Sequence, residues 1–183
     1  LAIDSQQRLY IADPGAHNVR RIETNGTLTT IAGTGEEGYN GDNIPATTAQ
    51  LDGPWGLALD GAGDLLIADQ VNNRIRKVTL NTGLITTVVG NGNFGYSGDH
   101  GAPTAATLSI PTNLAFDKQG QLYFADGGNH RIRKVQPAST VRTVASISAA
   151  SYTPALASEA IAAAFGLNLA MTTAVANTLP LPS

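Results

Sequence analysis

Residues 65–78 read Leu65-Leu66-Ile67-Ala68-Asp69-Gln70-Val71-Asn72-Asn73-Arg74-Ile75-Arg76-Lys77-Val78, two β-prone runs on either side of a polar turn. The string returns about every 56 residues. Upstream it is Leu9-Tyr10-Ile11-Ala12-Asp13 followed by Val19-Arg20-Arg21-Ile22. Downstream it is Leu122-Tyr123-Phe124-Ala125-Asp126 followed by Ile132-Arg133-Lys134-Val135. One such match would be a hairpin. Three in phase make a repeat.

The flanks repeat as well. Leu1-Ala2-Ile3-Asp4 returns as Leu57-Ala58-Leu59-Asp60 and as Leu114-Ala115-Phe116-Asp117. After the central pair, Leu28-Thr29-Thr30-Ile31 matches Ile85-Thr86-Thr87-Val88, with Val141-Arg142-Thr143-Val144 as a degenerate third copy. Asn25-Gly26 and Asn81-Thr82-Gly83 supply hairpin turns, because Gly and Asn accept positive φ. Each unit therefore holds four short strands and no 3.6-residue period. The fold class is all-β: a β-propeller segment of three four-stranded antiparallel blades at about 1–55, 56–112 and 113–145. Natural propellers close with about 4 to 8 blades, so the chain is expected to be a fragment of a larger one. Because it starts within a repeat, the true N-terminus is expected further upstream, and its open blade edges would support self-association.

Only 14% of residues are charged and the net charge is −3, so no global basic field points to nucleic acid. Cysteine is absent, which excludes disulfides and thiolate metal sites. No apolar run is long enough to span a bilayer.

The strings Ile67-Ala68-Asp69 to Asn73-Arg74-Ile75-Arg76-Lys77-Val78 and Phe124-Ala125-Asp126 to Asn129-His130-Arg131-Ile132-Arg133-Lys134-Val135 resemble the NHL repeat. The insert Gly33-Thr34-Gly35, Gly38-Tyr39-Asn40-Gly41-Asp42 and Pro45-Ala46-Thr47 resembles the long-loop version found in bacterial NHL proteins. The resemblance covers about residues 1–145; the first copy departs from it at Ala16-His17-Asn18-Val19. Residues 146–183 resemble a linker and the truncated opening of a C-terminal β-sandwich-like domain of secreted Acidobacteria proteins, although Ser158–Ala164 also suits a short capped helix. The resemblance implies a secreted or cell-envelope location. NHL-type lyases that hold zinc by histidine, and similar lactonases with one divalent ion in the channel, make an enzyme the alternative. RNA binding is a weaker one.

In an antiparallel blade the connections after the second and fourth strands share a face. Those after the fourth, Gly33 to Pro54 and Gly90 to Pro111, run to about 22 residues each, well beyond ordinary connections. Loops of that length make this face the candidate site. The first strands would line the channel and set Asp4, Asp60 and Asp117 in a ring.

Recurrence separates architecture from specificity. Asp13, Asp69 and Asp126 end their strands in phase, and Arg20, Arg76 and Arg133 recur on the third strand. Both sets are expected to be structural, with Arg76 and Arg133 bonded to aspartates or carbonyls. Two GxGxxG strings, at 33–38 and 90–95, lack the following helix that a dinucleotide site needs and are turn glycines. His17 and His130 alternate with Asn73, which suits a turn rather than a metal, so neither metal nor cofactor is expected. Tyr39 and Tyr96 lie beside Asp42 and Asp99, with Phe94 nearby, while Trp55 is unrepeated because Thr112 holds its place. These six residues, led by Trp55, are the candidate contacts. The functional expectation is a non-catalytic binding or scaffold module that offers this face to a protein or glycan partner.

Overall fold

β-branched and aromatic runs of five or six residues, each stopped by Gly, Asn or Asp, dictate short strands joined by tight turns. A computed structural model describes residues 1–136 and 143–147. The first sheet comprises β1 (Ala2–Ile3), β2 (Leu9–Asp13), β3 (Asn18–Ile22) and β4 (Leu28–Ala32), in chain order. The second comprises β5 (Ile44–Pro45), β6 (Pro54–Leu59), β7 (Leu65–Asp69), β8 (Arg74–Thr79) and β9 (Leu84–Val89). The third comprises β10 (Pro111–Phe116), β11 (Leu122–Asp126), β12 (Arg131–Gln136) and β13 (Thr143–Ile147), again in chain order. All pairings between these strands are antiparallel. Helical turns among the described residues are single 3-10 turns. The fold is an all-β propeller segment. Strand β13 runs to Ile147, two residues into the segment read as a linker and C-terminal domain at 146–183, and the rest of that segment lies outside the described residues.

The second sheet departs from four strands. Its order is β5-β9-β8-β7-β6, so the long loop after the first sheet delivers β5 onto the outer edge of the next. Ile44 pairs with Ile85 and Pro45 with Leu84. A proline has no N–H for a ladder and is tolerated on such an edge. Simple blade counting from the repeat did not include this borrowed strand.

Neighbouring sheets pack through two equivalent cores. At the first joint Tyr10, Val19 and Ala32 meet Leu65, Ile67 and Val78. At the second, Leu66, Ile75 and Val89 meet Leu122, Phe124 and Val135. Fully burying one such aliphatic side chain is worth about 1.5–3 kcal/mol, so the joints carry much of the stability. Leu66 stands where Tyr10 stands one blade earlier. A cleft of about 230 Å³ opens beside it, lined by Asp60, Lys77, Phe116 and Leu122, on the face opposite the long loops.

The innermost strands approach closely at the upper rim. A Cβ on Gly56 would lie 2.1 Å from the Thr112 carbonyl oxygen, so no side chain fits without moving β6 from β10. Asp4, Asp60 and Asp117 each accept two backbone N–H bonds in the turn after the first strand. The expected channel ring of carboxylates is therefore engaged in turn capping. Gly56→Ala is expected to lose about 2 kcal/mol or more in urea unfolding, through backbone displacement. An unchanged unfolding free energy would show that the two strands can part without cost.

Candidate functional site: the long-loop face

The turns after β2, β7 and β11 and the long connections at 33–53 and 90–110 share one face. Each turn ends on a residue with left-handed backbone: His17 at φ 47°, Asn73 at φ 50° and His130 at φ 53°. Asn and His tolerate that region better than most residues. The glycines of the two GxGxxG strings serve the same corners. A Cβ on Gly33 would meet the His17 carbonyl oxygen at 2.3 Å, and one on Gly90 the Asn73 carbonyl oxygen at 2.4 Å.

Two buried arginines hold the loops down. Arg76 is fully buried and donates from Nη1 to Asp69 Oδ2 at 3.4 Å. Its Nη2 donates to the Gly41 carbonyl at 2.7 Å and to Asp42 Oδ1 at 3.1 Å. Arg133, also fully buried, repeats the pattern with Asp126 at 3.3 Å, the Ser97 carbonyl at 2.8 Å and Asp99 at 2.9 Å. Asp69 further accepts from Asp52 N–H at 2.8 Å and the Asn72 amide at 2.9 Å. Burial pushes the Asp69 carboxyl up to about 6, against those donors and the guanidinium, so it stays ionised at neutral pH. Asp13 instead caps its own 3-10 turn through Ala16 N–H. Arg20 has no comparable loop bonds among the described residues; its Nε, like those of Arg76 and Arg133, is buried without a partner.

The candidate residues divide between latch and surface. The Tyr39 ring packs against Arg74 at 4.0 Å and Arg76 at 4.8 Å, and its hydroxyl donates to Asp42. Tyr96 covers Arg131 and Arg133 in the same way and bonds Asp99. Thr87 adds a bond to Asp42 at 3.0 Å. Tyr39, Tyr96, Asp42 and Asp99 thus form the roof of the arginine sites, with both tyrosines still partly exposed.

Trp55 and Phe94 belong to the exposed group, at 51% and 73%. The structure adds Val71 and Ile110, which sequence reasoning did not select. Val71 donates its N–H to Asp52 O, Asn73 Nδ2 donates to Val71 O, and Ile110 N–H donates to Asn73 Oδ1. This ladder joins the rim beside Trp55 to the rim of the next blade. Ile110 holds φ 51°, a costly conformation for a β-branched side chain, at the place where the preceding blade has Gly53 at φ 59°. The exchange of Gly53 for Ile110 before Pro54 and Pro111 was the signal available in the sequence.

Residues 51–78 match the NHL repeat. The chain is 32% identical over 121 residues to NHL repeat-containing protein 2 of Bos taurus, covering 61% of this chain and 16% of that protein. Among solved structures it is similar to an auxiliary nutrient binding protein from Bacteroides ovatus, with TM-score 0.59, 29% identity, and coverage of 70% of this chain and 34% of the other. It also shares its fold with virginiamycin B lyase from Staphylococcus aureus, with TM-score 0.51, 17% identity, and coverage of 82% and 40%. The chain therefore spans a sixth of the named relative and a third or so of these solved chains. The solved neighbours thus include both a nutrient binding protein and a lyase. No helix among the described residues is long and apolar enough to cross a membrane.

Replacing Arg76 by Ala leaves Asp69 buried without its counter-charge and should cost about 3–5 kcal/mol in urea unfolding. Asp42→Asn, at a partly exposed position, should cost only about 1 kcal/mol. Equal costs for the two substitutions would contradict the assignment of Arg76 as the centre of the latch.

Proposed function

We propose that the chain is a non-catalytic binding module whose long-loop face engages a protein or glycan partner. The observation that carries this is the exposed apolar rim of Trp55, Val71, Ile110 and Phe94, in which Ile110 keeps a strained backbone. A β-branched residue at positive φ costs roughly 1–3 kcal/mol, yet Ile110 stays 44% exposed, which suits a side chain held out for contact. Unrepeated Trp55 is an amphipathic anchor of the kind that dominates recognition surfaces. The similarity to a nutrient-binding propeller fits this reading, and a secreted or cell-envelope location would suit such a module.

The alternative is a propeller hydrolase or lyase with a divalent ion in the channel. The inner strands β6 and β10 offer Leu57, Ala58, Leu59, Leu114, Ala115 and Phe116, a poor set for that chemistry. Nucleic acid is disfavoured because third-strand cations are paired: Arg21 with Glu23, and Lys77 with Asp60 and Asp64.

Trp55 is the single tryptophan, so its fluorescence reports on the rim directly. Titration with a panel of soluble oligosaccharides and peptides is expected to shift or quench its emission. Trp55→Thr, which copies Thr112 of the next blade, should weaken the same ligand by about 2 kcal/mol or more in calorimetry and leave thermal stability unchanged. Undiminished affinity in that variant, or turnover of any panel compound, would overturn the proposal.

A further inference from the structure

We propose that His17, Glu37 and Asp52 bind one divalent transition-metal ion of the zinc type at the joint between the first and second blades. The site is distinct from the apolar rim and does not depend on the partner proposed for it. His17 closes the turn after β2, and Glu37 and Asp52 stand on the long loop that follows β4. One ligand atom from each of the three side chains lies within 4.8 Å of the others.

The lone pairs ask for a cation. His17 Nδ1 accepts a long bond from Gly53 N–H at 3.4 Å, so in the neutral ring this nitrogen carries no hydrogen. It nevertheless faces Asp52 Oδ1 at 3.6 Å, an atom that also offers only lone pairs when ionised. Either a proton on Nδ1 or a bound cation must sit between these two acceptors, and the Glu37 carboxylate adds a second negative charge. An ion bound to nitrogen at about 2.0–2.1 Å and to carboxylate oxygen at about 2.0–2.2 Å sets tetrahedral neighbours roughly 3.4 Å apart. The His17–Asp52 separation is close to that value. Glu37 is exposed, with a carboxylate oxygen within 4.8 Å of the other two ligand atoms. Neutral imidazole and two carboxylates balance the ion's two charges and leave a fourth position for water.

The three ligands also occur together where architecture does not require them. At the next joint their places are held by Asn73, Phe94 and Ser109. The backbone there is the same: Ile110 N–H bonds Asn73 Oδ1 as Gly53 N–H bonds His17, and Ser109 N–H bonds Asp126 as Asp52 N–H bonds Asp69. The turn and the loop therefore close without a histidine or either acid. Metal would tie the long loop to the first blade a few residues from Trp55.

The second joint supplies the test substitutions. Calorimetric titration of the untagged full chain with Zn²⁺ is expected to show one saturable site, and Co²⁺ to give visible absorption bands. His17→Asn and Asp52→Ser, each copying the next joint, should weaken Zn²⁺ by at least about tenfold while metal-free unfolding midpoints stay as in the wild type. His100→Asn should bind as the wild type does. Absence of a saturable site, a loss below tenfold in His17→Asn and Asp52→Ser, or an equal loss in His100→Asn would overturn the assignment.

Discussion

A guanidinium group without access to water needs carboxylates and carbonyls to hold its charge, and that constraint organises each joint of this propeller. Arg76 and Arg133 are fully buried, and each gathers an aspartate from the strand beside it and a carbonyl and a second aspartate from a loop more than thirty residues upstream. The desolvation cost of a buried charge is large, so the loop has little freedom to leave. Long connections that would otherwise be mobile become part of the packed body. The tyrosine rings above the guanidinium groups complete the enclosure.

Because the latch fixes the loops, what remains on their surface is presented in a defined way. The ladder from Asp52 through Val71 and Asn73 to Ile110 sets neighbouring apolar side chains along one rim. Gly56 lets the inner strands draw together beneath Trp55. A rim of this kind loses little further entropy on contact, since its backbone is already ordered by bonds made for architectural reasons.

Sequence periodicity revealed the sheets, their strand order and the face shared by the long loops, since turn chemistry and strand propensity are local properties. The loop-side partners of Arg76 and Arg133 lie 26–36 residues away, beyond any local pattern, although recurrence of Arg with Asp marked them for pairing. Strand β5 was missed because two residues, Ile44 and Pro45, are too short a run to register as a strand without the edge of β9 to receive them. Ile110 was passed over for a different reason. Its left-handed backbone is imposed by the corner it occupies, and isoleucine's own preferences argue against it. Tyr39 and Tyr96 were visible as loop aromatics, but their place over the arginines needed coordinates.

Lending β5 to the next sheet has a consequence for how the chain comes apart. Every strand residue of β7 is buried, so the second sheet is gripped on both faces. In an array of stacked units, free energy accumulates at contacts between neighbours, as in a one-dimensional lattice. The borrowed strand adds a covalent link to that coupling, because the β5–β9 ladder of the second sheet can fray only when the segment leaving the first sheet lets go.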